Sequence, residues 1–378
     1  MKRRDLVLAG PGLLLGGLGL TVPAAVRAQA TVVKFGQSAS LSGGQSTYGK
    51  DVQDGIAAAF AAANKVEGSK GLRFELVTLD DGGDKERCKQ NVKTLVDQGV
   101  SAVVGLTSGA AAEAALPVFE EAQVAMLGTA SGNMGIRAAK LTTAFHVRAG
   151  YDEEYRRMVQ YVKDYGFTRV GYVYLKDTTQ ANQLAMTAAL EAVGVKPTVT
   201  VALDRNAKGF EAEARQLVDG KLDCVLFTTN AGPINQIVDL MHAARYPGLY
   251  FSSSFAGQVL IDDMAKKGIS VIMTQVVPRP HQIALPVVKQ YQADLAAVNG
   301  ARVGYTSFEG YIAGVVAVEA ARAAARNGGT NKARLKEALA GLRTDLGGYK
   351  INFTGSSTRT ASRFVEVVAL DRYGRVIG

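Results

Sequence analysis

From Thr31 onward the chain alternates short β-branched runs with segments of helical length, and it does so twice. "TVVKFGQS" opens the first series, and in the following "DVQDGIAAAFAAANKV" Val52, Ile56, Ala59, Phe60 and Ala63 recur at helical spacing. "LRFELVTLDD", "DKERCKQNVKTLVDQ", "SAVVGL", "SGAAAEAALPVFEEA" and "VAMLGTA" continue the alternation until "FHVR" ends it near residue 145. A second series runs from "DEEYRRMVQYVKDYG" and "RVGYVYL" to "GLYFSSS" and "ISVIMTQVV". Parallel strands need a crossover between them, so strict alternation predicts parallel sheets with helices on both faces. The strands are apolar without alternating, as a sheet covered on both sides requires. The expected fold class is α/β, with two Rossmann-like lobes.

The tail changes character. Helix patterns follow one another in "ALPVVKQYQADLAAV", "SFEGYIAGVVAVEAARAAARNG" and "KARLKEALAGL", and a hairpin-like end follows in "YKINFTGSSTRTASRFVEVVALDRYGRV". This order predicts a chain that returns to decorate the first lobe and then adds strands to the second. A length of 378 residues suits two domains of about 100–200 residues each.

The first 28 residues read as an export signal. A basic start, an apolar run from Leu6 to Val22, and small residues at Ala24, Ala25, Ala28 and Ala30 fit a cleaved leader ending at Ala28 or Ala30. Gly and Pro interrupt the run and no stop-transfer charges follow, which argues against an anchor. Arg3-Arg4 fits a twin-arginine signal and a general secretory one alike. No later segment reaches the roughly 20 apolar residues of a spanning helix, so a soluble periplasmic protein is expected. The formal charge is +9; without the leader about +6 remains, spread thinly. With no basic block and no aromatic-basic interleaving, a nucleic-acid surface is not expected. Two cysteines in an oxidising compartment could pair. Cys88 and Cys224 fall in different lobes, however, so both are expected to be free, Cys224 as a small buried hydrophobe.

"GGQSTYGKD" is one letter from a phosphate-binding loop: Gly44, Gly49 and Lys50 fit, and Asp51 stands where Ser or Thr should hold Mg²⁺. A carboxylate there repels phosphate, so nucleotide binding is not expected. What remains is a glycine-rich strand-to-helix turn carrying Tyr48. Ligand crevices of open parallel sheets lie beyond the carboxyl ends of strands. Tyr48 therefore either hangs over such a crevice or packs on its own lobe.

"FGQSASLSGGQSTYGKDVQDGIAAAFAAAN", "LVTLDDGGD", "VVGLTSGAAAEAALPVFEEAQVAMLGTAS" and the closing hairpin together resemble the branched-chain amino-acid binding proteins of ABC transporters. These are two-lobed periplasmic solute receptors of the type I fold, and the likeness spans the mature chain. It implies three interlobe crossovers, near 148–151, 275–280 and 346–351. Lobe one would comprise 31–149 plus 277–347, and lobe two 150–276 plus 348–378. It also implies a carboxylate ligand, an ABC permease in the inner membrane as partner, a monomer, and no metal or cofactor.

Several residues follow for the site. Ser108-Gly109 opens the helix after "SAVVGL", where unpaired amides suit a carboxylate; Ser108 could equally cap that helix. Ala130, Ser131 and Gly132 lie where the resemblance implies main-chain contacts to the ligand, with Tyr48 covering it. The second lobe departs from the family. Asp177-Thr178-Thr179-Gln180 stands where an aromatic is expected after "RVGYVYL", and Asn230 stands at the next such position. The acid expected after "YFSSS" is Phe255. A buried ammonium without a carboxylate costs several kcal/mol. Asp152 would compensate, unless it is only a first-turn helix residue. The expected ligand is thus a small anionic acid, its apolar part on Phe255 and its polar edge on Asn230 and Thr179.

An enzyme is disfavoured: His146, His242 and His281 form no H-E-x-x-H pattern, and no G-x-S-x-G elbow occurs. A sensor subunit of the same fold, docking on a signalling receptor, is the alternative the sequence leaves open.

Overall fold

The computed structural model describes residues 30–67, 71–204, 207 and 209–377; the segment read as an export leader lies outside them. The first series becomes β1 (Thr31–Ala39), α1 (Ser46–Glu67), β2 (Leu72–Asp80), α2 (Lys85–Asp97), β3 (Ala102–Val104), α3 (Gly109–Ala122), β4 (Ala125–Leu127) and β5 (Ala144–Phe145). Its strands pair in parallel in the order β2-β1-β3-β4-β5.

The second series begins with α4 (Tyr151–Asp164), β6 (Val170–Leu175), α5 (Gln180–Ala192), β7 (Val199–Leu203) and α6 (Glu211–Asp219). It continues through β8 (Cys224–Phe227), α7 (Ala231–Ala243), β9 (Leu249–Ser252), α8 (Gly257–Lys267) and β10 (Val271–Gln275). Strands β7-β6-β8-β9-β10 are parallel neighbours. In each sheet the order reverses once, at β1/β3 and at β6/β8. Both series therefore carry a crevice beyond the carboxyl ends of those strands.

The tail supplies α9 (Pro286–Leu295), α10 (Tyr305–Arg326), α11 (Lys332–Gly341), β11 (Arg343–Asp345), β12 (Lys350–Asn352), β13 (Glu366–Leu370) and β14 (Val376–Ile377). Helices α9 and α10 pack on α1, and α11 packs on α10, β3 and β4. The first unit is thereby completed. Helix α10 is buried almost all round, as a helix enclosed by neighbours must be. Its crossing with α1 is close: a Cβ on Gly55 would lie 2.0 Å from the Ser307 carbonyl oxygen. Only glycine admits that backbone approach.

The chain then runs along the edge beyond β5. His146 bridges Thr360, and its N–H and C=O bond Arg359 O and Ala361 N at 2.9 and 2.8 Å. Only from Glu366 does it join the second sheet, where β13 pairs antiparallel with β10 and β14 with β13. Tyr349 marks where the connections meet, its hydroxyl donating to Val147 O and Val276 O at 3.0 Å each. Cys88 and Cys224 are free and buried in separate clusters. Burial pushes both thiols up to about 12. His146 is buried with Nε2 3.0 Å from Ile136 O, whereas His242 and His281 are exposed.

Candidate functional site

The cleft between the two sheets' carboxyl ends holds two small compartments that share Phe255 as a wall. The outer one, of about 150 Å³, lies between the start of α1 and the starts of α7 and α8. The inner one, about 30 Å³, lies between the start of α3 and the ends of β6 and β8.

Asp80 builds the entry to α1. Its carboxylate accepts from Leu41 N at 2.9 Å, Gly82 N at 2.8 Å and Ser42 Oγ at 2.6 Å. This fixes the turn that delivers Tyr48. The Tyr48 ring is buried, and its hydroxyl donates to Ala130 O at 2.7 Å. Burial first, then the neighbouring Glu309 carboxylate, holds that phenol well above its ordinary pKa, so it stays a neutral donor.

Ser108 caps α3, its Oγ accepting from Ala111 N at 3.3 Å, while Ala112 N bonds Ser108 O at 2.9 Å. The amides of Gly109 and Ala110 have no acceptor among the described residues, and both residues line the inner compartment. Unpaired first-turn amides with the helix dipole behind them form a carboxylate seat. Ser131 lies opposite, its Oγ 3.2 Å from Tyr151 Oη and accepting from Asn133 N at 3.2 Å. The adjoining main chain is engaged within the protein. Ala130 N donates to Leu106 O, Ser131 N to Thr129 O, and Gly132 O accepts from Tyr151 N.

Phe255 stands edge-on between Tyr48, 6.3 Å away, and Tyr151, 6.4 Å away. Tyr48, Ser108, Gly109, Ser131, Asn230 and Phe255 thus share one cleft. Ala130 borders it through Tyr48, and Gly132 through Tyr151. Asn230 precedes α7 with its Oδ1 buried and unpartnered. Two expected residues lie apart from the compartments. Asp152 points outward and pairs with Arg156 at 3.4 Å. Thr179 is the half-buried residue before α5, and its neighbours Thr178 and Asn182 line the cleft instead.

Sequence reasoning missed Tyr151, Tyr155, Tyr172 and Thr228, which wall the inner compartment. A signal was present. Tyr151 and Tyr155 are one helical turn apart, so they share a face, and Asp152 is turned about 100° from it. Thr228 follows directly on β8. Among the described residues no carboxylate lines the inner compartment. Asp263, in the outer one, is already engaged by Asn235 at 2.8 Å and Lys266 at 3.4 Å.

Beneath the floor lies a buried charge cluster. The Arg148 guanidinium, fully buried, donates to Glu309 at 3.1 Å, to Ser254 Oγ at 2.8 Å, and to Glu154. Glu154 also accepts from Ser254 N at 2.9 Å and Thr274 Oγ1 at 2.6 Å. The turn carrying Phe255 is anchored by these bonds. Burial opposes the charge on Arg148, yet Glu309 and Glu154 hold its pKa well above the ordinary value. Arg137, also buried, donates to the carbonyls of Arg148, Ser131 and Ala149 and to Thr360 Oγ1; burial pulls it down to about 9. Two cations therefore balance two carboxylates, and the floor is neutral overall.

The site offers a seat for one negative group, aromatic walls, and hydroxyl and amide partners at its edges. A binding cleft of that kind needs no covalent step. Comparison with known proteins gives the same architecture a family. A Leu/Ile/Val-binding protein of Rhizobium johnstonii is 26% identical over 197 residues, about half the length of each chain. A possible leucine/isoleucine/valine-binding protein from Rhodopirellula baltica SH 1 superposes with a TM-score of 0.81 at 23% identity, covering 94% of this chain and 98% of that one. A solute-binding protein of an ABC transporter from R. palustris, in complex with 4-hydroxybenzoate, does so at 0.78 and 19%, covering 92% and 95%. The family profile described as periplasmic binding protein matches residues 32–374, and the chain belongs to that family.

Proposed function

We propose that this protein is the extracytoplasmic capture component of an ABC importer and that it holds a small carboxylic acid with an apolar, aromatic-sized body. The observation that carries this reading is the inner compartment. The free amides of Gly109 and Ala110 share it with Tyr151, Tyr155 and Phe255, and among the described residues no carboxylate lines it to receive an ammonium. An amino acid would bury its cation unpaired there, at a cost of several kcal/mol; a simple acid would not. Asn230 Oδ1, buried and unpartnered, suits a hydroxyl at the far end of such an acid. The 4-hydroxybenzoate bound by the R. palustris protein has this chemistry.

The two sheet units act as lobes, 31–149 plus 277–347 against 150–276 plus 348–378, that hinge shut on the solute. A permease then recognises the closed form. The leader would deliver the chain to the periplasm. Calorimetry on the mature protein against leucine, isoleucine, benzoate and 4-hydroxybenzoate tests the ligand class. Micromolar binding of the aromatic acids with none of the amino acids is expected. Tight leucine binding with no response to the acids would sink the proposal.

A further inference from the structure

The rim of the cleft carries an ion-pair system whose residues line neither compartment. Arg302, in the loop before α10, clasps Asp51 of α1 with two bonds, Nε to Oδ1 at 2.8 Å and Nη2 to Oδ2 at 2.6 Å. Both residues belong to the first unit. The remaining guanidinium nitrogen of Arg302 reaches across the cleft to Asp262 Oδ2 on α8, in the second unit. A second set of bonds lies beside it. Gln258 Nε2 donates to Asp262 Oδ1 at 2.9 Å, its Oε1 accepts from Tyr305 N at 3.2 Å, and its own N–H donates to Thr306 Oγ1 at 2.9 Å. The start of α8 is thus bonded to the start of α10. Contact there is tight: Gly257 has φ +67°, and a Cβ on it would fall 2.7 Å from the Tyr48 ring and 2.8 Å from Thr306 Oγ1.

These bonds connect opposite sides of the cleft and can exist only while the sides are together. Asp51 is nearly buried and bidentate with Arg302, so the guanidinium is aimed before Asp262 arrives. Pre-aiming removes the rotamer entropy that makes most exposed ion pairs weak. Beside Arg302 an open surface groove of about 580 Å³ exposes the arginine to solvent. Salt therefore reaches the pair and screens it, with a screening length of about 10 Å at 0.1 M. The opposite rim is closed by a neutral bond, Met134 N to Asn182 Oδ1 at 2.8 Å, which salt does not screen in this way.

We propose that Arg302, aimed by Asp51, is a positioning residue for solute capture. It latches Asp262 in the closed form and sets affinity by raising the closed population of the ligand-free protein. The inference rests on the reading that the two units hinge around a solute. The apparent dissociation constant scales inversely with the binding-competent fraction. Losing the latch should therefore weaken every ligand by the same factor, about two- to fivefold, without changing selectivity.

The test is single-molecule energy transfer between dyes on the exposed positions Lys89→Cys of α2 and Arg215→Cys of α6. It is performed without ligand at 20 mM and 500 mM salt, values on the order of those that bracket the screening range. The unmodified latch should give a closed population that shrinks at high salt. Arg302→Gln and Asp262→Asn should each give the small population at both salts, and Arg302→Lys, which cannot clasp Asp51 through two nitrogens, an intermediate one. If added 4-hydroxybenzoate or salt shifts the distribution but neither Arg302→Gln nor Asp262→Asn does, the latch is wrong and the hinge stands. One fixed distance under every condition overturns the hinge itself.

Discussion

Tyr48 shows how one residue serves both stability and the site. Its hydroxyl is committed to Ala130 O, while its ring walls the outer compartment. Tyr48→Phe should therefore leave a buried carbonyl without its donor and lower unfolding free energy by about 1–3 kcal/mol, with ligand affinity little changed. Tyr48→Ala should weaken binding strongly as well, because the wall itself goes. Denaturant titration and calorimetry of the pair check this, and an affinity loss in Tyr48→Phe as large as in Tyr48→Ala would refute the division. At this scale the sequence was partly legible. Tyr48, Ser108, Ser131, Asn230 and Phe255 could be placed because each lies beyond the carboxyl end of a parallel strand (β1, β3, β4, β8 and β9 in turn), where the fold dictates direction. Asp152 and Thr179 fall one residue from groups that line the cleft. On a helix one residue is about 100°, and without coordinates nothing in the acidic first turn "DEEY" tells which side chain turns inward.

Elements do the placing. The stretch from Ala39 to Tyr48 makes a single short 3₁₀ turn before α1, so its course depends on Asp80 at the end of β2. That carboxylate is held down to about 2, the Ser42 hydroxyl lowering it most, against some burial, with Gly82, Leu41 and Ser42 amides adding to it. A folded-state pKa below the unfolded value of about 3.8–3.9 gives stability that is fully present above pH ~4 and lost as pH falls toward 2. Asp80→Asn should flatten the acid limb of the stability curve over that window and leave the neutral limb parallel to that of the parent. An acid limb of unchanged slope would show that Asp80 does not titrate as described. The alternation of strand and helix made these elements readable. The tail was less so: Arg359 and Ala361 are tied to His146 by main-chain bonds, which carry no side-chain signature, and the bridge beyond the two-residue strand β5 leaves no periodicity to read.

For the molecule as a whole, Arg148 is the joint. It lies where the chain first leaves the β5 edge, and its bonds reach Glu309 on α10 of the first unit and Glu154 and Ser254 of the second. Such a cluster is weak grounds for stability in itself, because desolvation of buried ions offsets their attraction. Breaking it is another matter. In Arg148→Met two carboxylates would face each other in the core with Arg137 committed to carbonyls and Thr360. The expected loss is about 3–5 kcal/mol at neutral pH. Burial already holds Glu309 above its ordinary value in spite of Arg148, and removal of the cation must raise it further. A carboxyl whose folded pKa lies above the unfolded one stabilises the fold while protonated and loses that benefit as pH rises. Arg148→Met should therefore be closer to the parent at pH ~5 than at pH ~8, and Arg148→Met with Glu154→Gln and Glu309→Gln should lose that pH dependence. Denaturant titration at the two pH values reads both. If the single variant kept the parent's pH profile, the cluster could not be the charge-balanced joint between the units. The Phe255 turn, which hangs from Glu154 through Ser254, would then need some other anchor.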